Sequence, residues 1–371
     1  MRQTPAASNY RHKKGEKYRF ITVYDLNCQI IYDKNRTSTK EIIPFIRALS
    51  LQIFMKFKDI AGCVGTTTLL LLASIGIPFI GPLFSLLIPL VFLYYSSKLG
   101  FSEGLKIVAV TLIIIGLVGK AGGYPRIMLF CLEFSLLGLI ISELFRRQLA
   151  FDLTIFWGTG IMLFIGFIFI FLIGLSKGMG PVELIFNYFQ SNLNITIQAY
   201  QKMDLDQEKG RQLQEFGKVF IDIISRIYPA LIITSTACVV WLNVIISKPL
   251  FRLGSLKYPD FGPLDRWQAP ERMIWVVIAS GFALFFPSSG LKFIALNILI
   301  VSLVIYVFHG ISIILFFLNK YKVPLWIRIG IYILLVFQQF FLAILAVAGL
   351  FDQWIDFRKI SLKKKNKEEN L

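Results

Sequence analysis

At 371 residues, with 56% hydrophobic side chains, 35 Phe and a mean hydropathy of +0.67, the chain carries more apolar surface than a water-soluble core can hide. Lys and Arg outnumber Asp and Glu by 39 to 22, a net charge of +17, but the cations lie in tails and short loops between apolar runs; this fits anionic lipid headgroups and the positive-inside bias, not nucleic acid. Cys28, Cys63, Cys131 and Cys238 show no CxxC or Cys/His spacing, and His12 and His309 are the only histidines, so neither a metal nor a cofactor is expected.

Residues 1–54 are polar and basic, with Arg11, Lys13, Lys14, Lys17 and Arg19 early, and lack the charged, apolar, small-residue order of a cleaved signal peptide. They read either as a basic inner-side tail without fixed structure or as a segment upstream of a start at Met55. The alternation from Phe20 to Tyr32 fits a small hairpin, with nothing nearby to bury it.

Nine apolar segments follow within residues 55–359. The first, from about Ile60 to Ile77, stops at the turn-rich IPFIGP of Ile77–Pro82. Then come Leu83–Tyr95, Gly104–Val118 before the Gly122–Gly123 pair, Arg126–Phe145 before Arg146 and Arg147, and Leu153–Leu175. The last four are Ile227–Ser247, Met273–Phe286, Leu291–Leu318 and Ile327–Leu350. Leu291–Leu318 is broken by one charge, Lys292, and as a helix it measures roughly 40 Å against a hydrocarbon core of about 30 Å. Within it Ser302, Tyr306 and His309 recur at helical spacing, a face expected to look at protein, and Asn297 lies one turn earlier.

Residues 176–226 form the one long connection. Val182, Ile185, Phe186, Phe189, Leu193, Ile197 and Tyr200 make an apolar stripe of helical period, expected to lie on the bilayer surface or to cap the bundle. Leu213, Phe216, Phe220, Ile223 and Ile224 repeat the stripe and run into the sixth span, with a bend at Pro229. With the N-terminal tail inside, Lys98, Arg146, Arg147, the Lys248–Arg272 loop, Lys320 and Lys322 fall inside as well. Nine crossings then put Arg358, Lys359 and Lys363–Lys367 outside, against the rule; a seventh segment of about 14 residues that failed to cross would restore it.

Glu133 sits in the fourth span among Phe130, Leu132, Phe134 and Leu136. A carboxylate there costs several kcal/mol unless protonated, paired or hydrated, so Glu133 is a ligand or proton site, or an acid bonded to a neighbouring helix. Asn243, on one face with Thr236, and His309, beside Gly310, are expected to line the interior with it, as binding residues or as interhelical hydrogen bonds of about 1 kcal/mol each. Gln338 and Gln339 belong to the same class, and Ser135, Gly138 and Ser142 form a packing stripe. Asp352, Trp354, Asp356 and Arg358 close the last span; Asp352 and Asp356 stand i, i+4 on a continued helix, where Arg358 could bridge them. The group reads as a membrane-exit anchor or as a docking surface for a partner. No GxSxG, Walker-type, HExxH or Rossmann signature is present, so no enzymatic activity is expected.

Asn297 opening a long span, FHGISIILFF at Phe308–Phe317, GLFDQWIDFRK at Gly349–Lys359 and the polar RWQAPERMIW at Arg266–Trp275 resemble the YybS-like family of bacterial membrane proteins of unknown function. The IPFIGP break and the Gly122–Gly123 pair match it too, and the resemblance covers Met55–Lys359. That family is distantly similar, over six spans, to the substrate-binding S components of energy-coupling-factor vitamin transporters and to a rod-shape membrane protein. The resemblance implies a small solute bound in the first six spans and a coupling partner on a small-xxx-small face, here Ala61, Gly65, Leu69 and Ala73, with Leu69 departing from the pattern. Lacking an ATP-binding motif, such a transporter draws on a separate ATPase or an ion gradient. The alternative is a non-transporting scaffold for envelope growth or division. The expected fold is therefore an all-α, polytopic inner-membrane bundle of eight or nine spans, S-component-like in its first six, with a basic tail at 360–371.

Overall fold

The structure, a computed structural model, describes residues 39–77, 80–123, 127–201 and 207–358. The expected hairpin at Phe20–Tyr32, the 360–371 tail and the side chains of Leu193, Ile197, Tyr200 and Leu213 lie outside the described residues. The chain forms two compact units, Met1–Ala61 and Gly62–Leu371; the described residues of the first are the opening turns of α1 (Thr39–Gly76).

The second unit continues through α2 (Gly81–Ser85), α3 (Ile88–Leu99), α4 (Phe101–Ala121), α5 (Ile127–Arg146), α6 (Phe151–Lys177), α7 (Pro181–Gln201) and α8 (Gln207–Leu253). A short 3-10 turn at Leu264–Arg266 leads to α9 (Met273–Ala283), α10 (Ser289–Lys320), α11 (Leu325–Phe337) and α12 (Gln339–Ile355). The described residues contain no strand, and 7 helices are long and apolar enough to cross a membrane, or up to 8 if the bent α11–α12 pair counts as one. The protein is an all-α, multi-pass membrane bundle.

The small-residue stripe of α5 packs on α3. A side chain at Gly138 would run into the Pro89 carbonyl and lie 2.7 Å from Phe92 Cβ, while Ser142 Oγ meets Ser97 Oγ at 2.9 Å. Leu93, Leu137, Ile141, Phe145, Phe151, Met162, Val240, Val244 and Phe251 fill the core between α3, α5, α6 and α8. At one end of that core Phe145 meets Phe251 and Tyr258 edge-on, both at 5.5 Å, and Arg146 donates to Ser96 O. The basic ends of α3, α5 and α8 therefore share one face, as the positive-inside reading expects. Tyr258, in the loop after α8, donates to Val244 O at 2.8 Å, and burial pushes its phenol pKa up.

The α6–α7 turn closes on Gly178 in the left-handed region (φ 65), with the amide of Met179 bonded to Gly174 O and that of Gly178 to Leu175 O, the pairing of a Schellman cap. α7 then folds back to pack on α6 and α8, with Phe186 edge-on to Tyr228 at 5.6 Å. α8 has 47 residues, about 70 Å, so it crosses the bilayer and projects beyond it; the second apolar stripe does run straight into the sixth span, with Pro229 inside the helix.

Chain direction settles the seventh segment. Asn297 bonds to Ala230, and 11 residues further along both helices Phe308 stacks on Trp241 at 4.9 Å, so α8 and α10 run parallel. Parallel neighbours require the chain between them to return across the bundle. α9 supplies only 11 residues, roughly 16 Å. The loop before it covers the rest, climbing α10 from Asn319, which bonds Asp265, to Tyr306, which packs on Ala269.

The expected ninth span is not one helix. It breaks at Gln338 into α11 and α12, which meet at 101°, so Gln338 and Gln339 mark a bend. α12 runs antiparallel to α10. Leu345 faces Gly310, Gly349 faces Tyr306, and Gln353 accepts from Tyr306 OH at 3.1 Å.

Candidate functional site

Two buried asparagines bond to main-chain groups of a neighbouring segment beside a proline. Pro229 has no amide hydrogen, and beside it Asn297 fits its carboxamide between two groups that bond each other in an unbroken helix. Its Oδ1 accepts from Ala230 N and its Nδ2 donates to Arg226 O, both at 2.8 Å, with a further bond to Phe293 O. Asn297→Leu removes the side-chain bonds to Ala230 N and Arg226 O, an expected loss of about 1–3 kcal/mol that a drop in the thermal midpoint in detergent reads directly.

Asn243 does the same at the break between α2 and α3. There Leu90 N bonds to Leu87 O instead of continuing the helix, which frees Leu86 O. Asn243 Nδ2 donates to that carbonyl at 3.0 Å and to Val239 O at 2.9 Å. Unlike Asn297, it leaves its Oδ1 buried without a hydrogen-bond partner.

The densest polar cluster lies where α10, α12 and the Leu264–Ala269 loop converge. The helical spacing of Ser302, Tyr306 and His309 places all three in the buried interior, as expected, at 2%, 0% and 0% exposure. His309 Nε2 lies 3.1 Å from Asp352 Oδ2 and 2.8 Å from Arg358 Nη2. Arg358 donates to Asp352 Oδ2 from Nη2 at 2.9 Å and from Nε at 3.2 Å. Its Nη1 reaches Ser312 Oγ at 2.9 Å and the carbonyls of Asp265 and Trp267 at 2.9 and 3.1 Å. A guanidinium can only donate, so at 2.8 Å His309 Nε2 acts as the acceptor. His309 Nδ1 then carries the hydrogen and has no hydrogen-bond partner. Asp352 Oδ1 accepts from Phe357 N at 2.9 Å, which caps the turn after α12.

The expected site residues therefore separate. His309 joins Asp352 and Arg358, whereas Asn243 belongs to the α2–α3 break. Glu133 does not line the interior: it is exposed on the outer face of α5, because the packed face of that helix is the one carrying Ser135, Gly138 and Ser142. Nor do Asp352, Trp354, Asp356 and Arg358 present a common docking surface. Asp352 and Arg358 are 1% and 3% exposed and bound to each other, Trp354 is 60% exposed on the opposite side, and Asp356 turns out of the helix at φ 46. Arg358 bridges Asp352 to His309, not to Asp356. Sequence reasoning missed Ser312, although it stands three residues after His309 and continues the same stripe, and it missed the loop carbonyls, which no side-chain pattern announces.

The family model for predicted membrane proteins, DUF2232, matches residues 65–353. The chain is also similar to the uncharacterized protein YybS of Bacillus subtilis (strain 168), 22% identical over 291 residues, 77% of this chain and 92% of that protein. No solved structure matches significantly. With its family match running from the first span through Asp352 and Gln353, the chain belongs to the DUF2232 family of predicted membrane proteins.

Proposed function

We propose that the protein binds a small solute inside the membrane and contributes to its transport, and that the solute meets Asn243 at the α2–α3 break. The observation that carries this reading is the unpartnered, fully buried Asn243 Oδ1 beside an interrupted helix. Interrupted helices at membrane depth occur where the backbone is buried in protein or lines a cavity, and in transporters such breaks form binding sites. An acceptor oxygen without a donor fits a solute bearing an N–H or O–H group. The sequence likeness to S components points to the same six-span half. Active transport would draw on a separate ATPase or an ion gradient.

The test is a search for solutes that co-purify with gently solubilised protein and raise its thermal midpoint. Asn243→Ala is expected to remain folded and to lose that shift. An equal shift in wild type and variant, or none in wild type across solute pools, would sink the reading.

A scaffold reading is favoured by one separate observation. The outer helices α7 and α8 expose Tyr188, Ile195, Phe216, Val219 and Phe220 at 62, 61, 66, 58 and 46%. Stable co-purification of one protein partner without any solute, lost on Phe216→Ser with Phe220→Ser, would support it instead.

A further inference from the structure

We infer that the outer face of α5 around Glu133 is an interface between two copies of this chain, in which the two Glu133 carboxyls hydrogen-bond to each other inside the membrane. The inward face of α5 is already filled, with Ser135, Leu137, Gly138, Leu139, Ile141 and Ser142 buried. Glu133 is exposed on the other side, and no hydrogen bond or ion pair reaches its carboxyl among the described residues. One turn earlier on the same face stand Leu129 and Phe130, 59 and 36% exposed, so the carboxyl emerges among apolar side chains.

Depth makes this position costly. Glu133 lies six residues, about 9 Å, inside the start of α5 and 13 residues, about 20 Å, from Arg146 at its end. The other acids of α4–α6, Glu103, Glu143 and Asp152, all stand within three residues of a helix end, where water and headgroups reach them. Acyl chains offer Glu133 no partner, and its short stem lacks the snorkelling reach of Lys or Arg. Acids within a span pair with other polar groups, so a partner must bring a donor and an acceptor to this same depth. A second copy does so by symmetry. Inserted the same way round and related by a two-fold axis along the membrane normal, it sets Glu133 opposite Glu133. A protonated carboxyl carries one O–H donor and keeps an acceptor oxygen, so the two close a pair of reciprocal hydrogen bonds and leave no polar atom facing lipid. Leu129 and Phe130 of each copy then cover the pair.

Energy transfer between donor- and acceptor-labelled copies of the full chain, reconstituted together in phosphatidylcholine vesicles, tests this. Wild type is expected to show transfer that falls as lipid is added. Glu133→Gln keeps a donor and an acceptor and is expected to retain most of it. Glu133→Leu is expected to weaken pairing roughly tenfold, the scale of two interhelical hydrogen bonds, while its thermal midpoint in dilute detergent stays at the wild-type value. Glu133→Lys is expected not to pair with itself but to pair with wild type, an ion pair replacing the two acids. Wild type monomeric at every lipid ratio, or pairing unchanged in Glu133→Leu, would overturn the inference. Capture of a different membrane protein through Glu133, without transfer between copies, would overturn it as well and give the face to that partner.

Discussion

Asp352→Ala is expected to destabilise the protein by about 3–5 kcal/mol, the cost of leaving one partner of a buried ion pair uncompensated. Asp352 and Arg358 side chains are both 0% exposed, so water cannot take the place of the lost carboxylate. The carboxylate also caps Phe357 N, and its removal frees the turn that aims Arg358. Replacing both partners, Asp352→Leu with Arg358→Met, is expected to cost clearly less than Asp352→Ala alone, because two charges are then spared desolvation together. A double-mutant cycle on unfolding in detergent measures this. A double variant as unstable as the sum of its singles would show that the two residues act separately and that the cluster is not a unit.

Helices, their apolar faces and the buried Ser302–Tyr306–His309 stripe are legible in the sequence because each follows from a local period. Glu133 marks the limit of that legibility. Its apolar neighbours along the chain predict that it sits in a span, but which face of α5 turns inward is decided by Gly138 meeting Pro89 and Phe92, a contact across 49 residues. The same holds for Arg358. Read as continued helix, Asp352 and Asp356 share a face; a left-handed Asp356 ends that helix, and the modest preference of aspartate for that region does not single this one out. The two asparagines are halfway cases. Pro229 and Pro89 announce that a backbone group has lost its partner, yet not that Asn297 and Asn243 supply the replacement.

Gly310→Leu and Gly349→Leu are expected to have effects as large as breaking the ion pair, by a different route. A Cβ at Gly310 would run into Leu345 O and lie 2.8 Å from Leu345 C; one at Gly349 would run into Tyr306 O and lie 3.0 Å from Gly310 N. These neighbours are backbone, which cannot rotate away, so α10 and α12 must move apart. Overpacking of this kind costs about 1–3 kcal/mol by itself. Separation also pulls Arg358 from His309 and Ser312, and Gln353 from Tyr306, bringing the expected total to roughly 3 kcal/mol or more. Small residues allow this close approach, since hydrophobic burial gives no drive for helix pairing within lipid. Gly160→Ala is the contrasting case: nothing lies within 4 Å of its added Cβ, so it is expected to be neutral or slightly stabilising through helix propensity. Thermal unfolding of the three variants in one detergent checks the set. If Gly310→Leu and Gly160→Ala unfold at the same temperature, α10 and α12 are not held at the distance described.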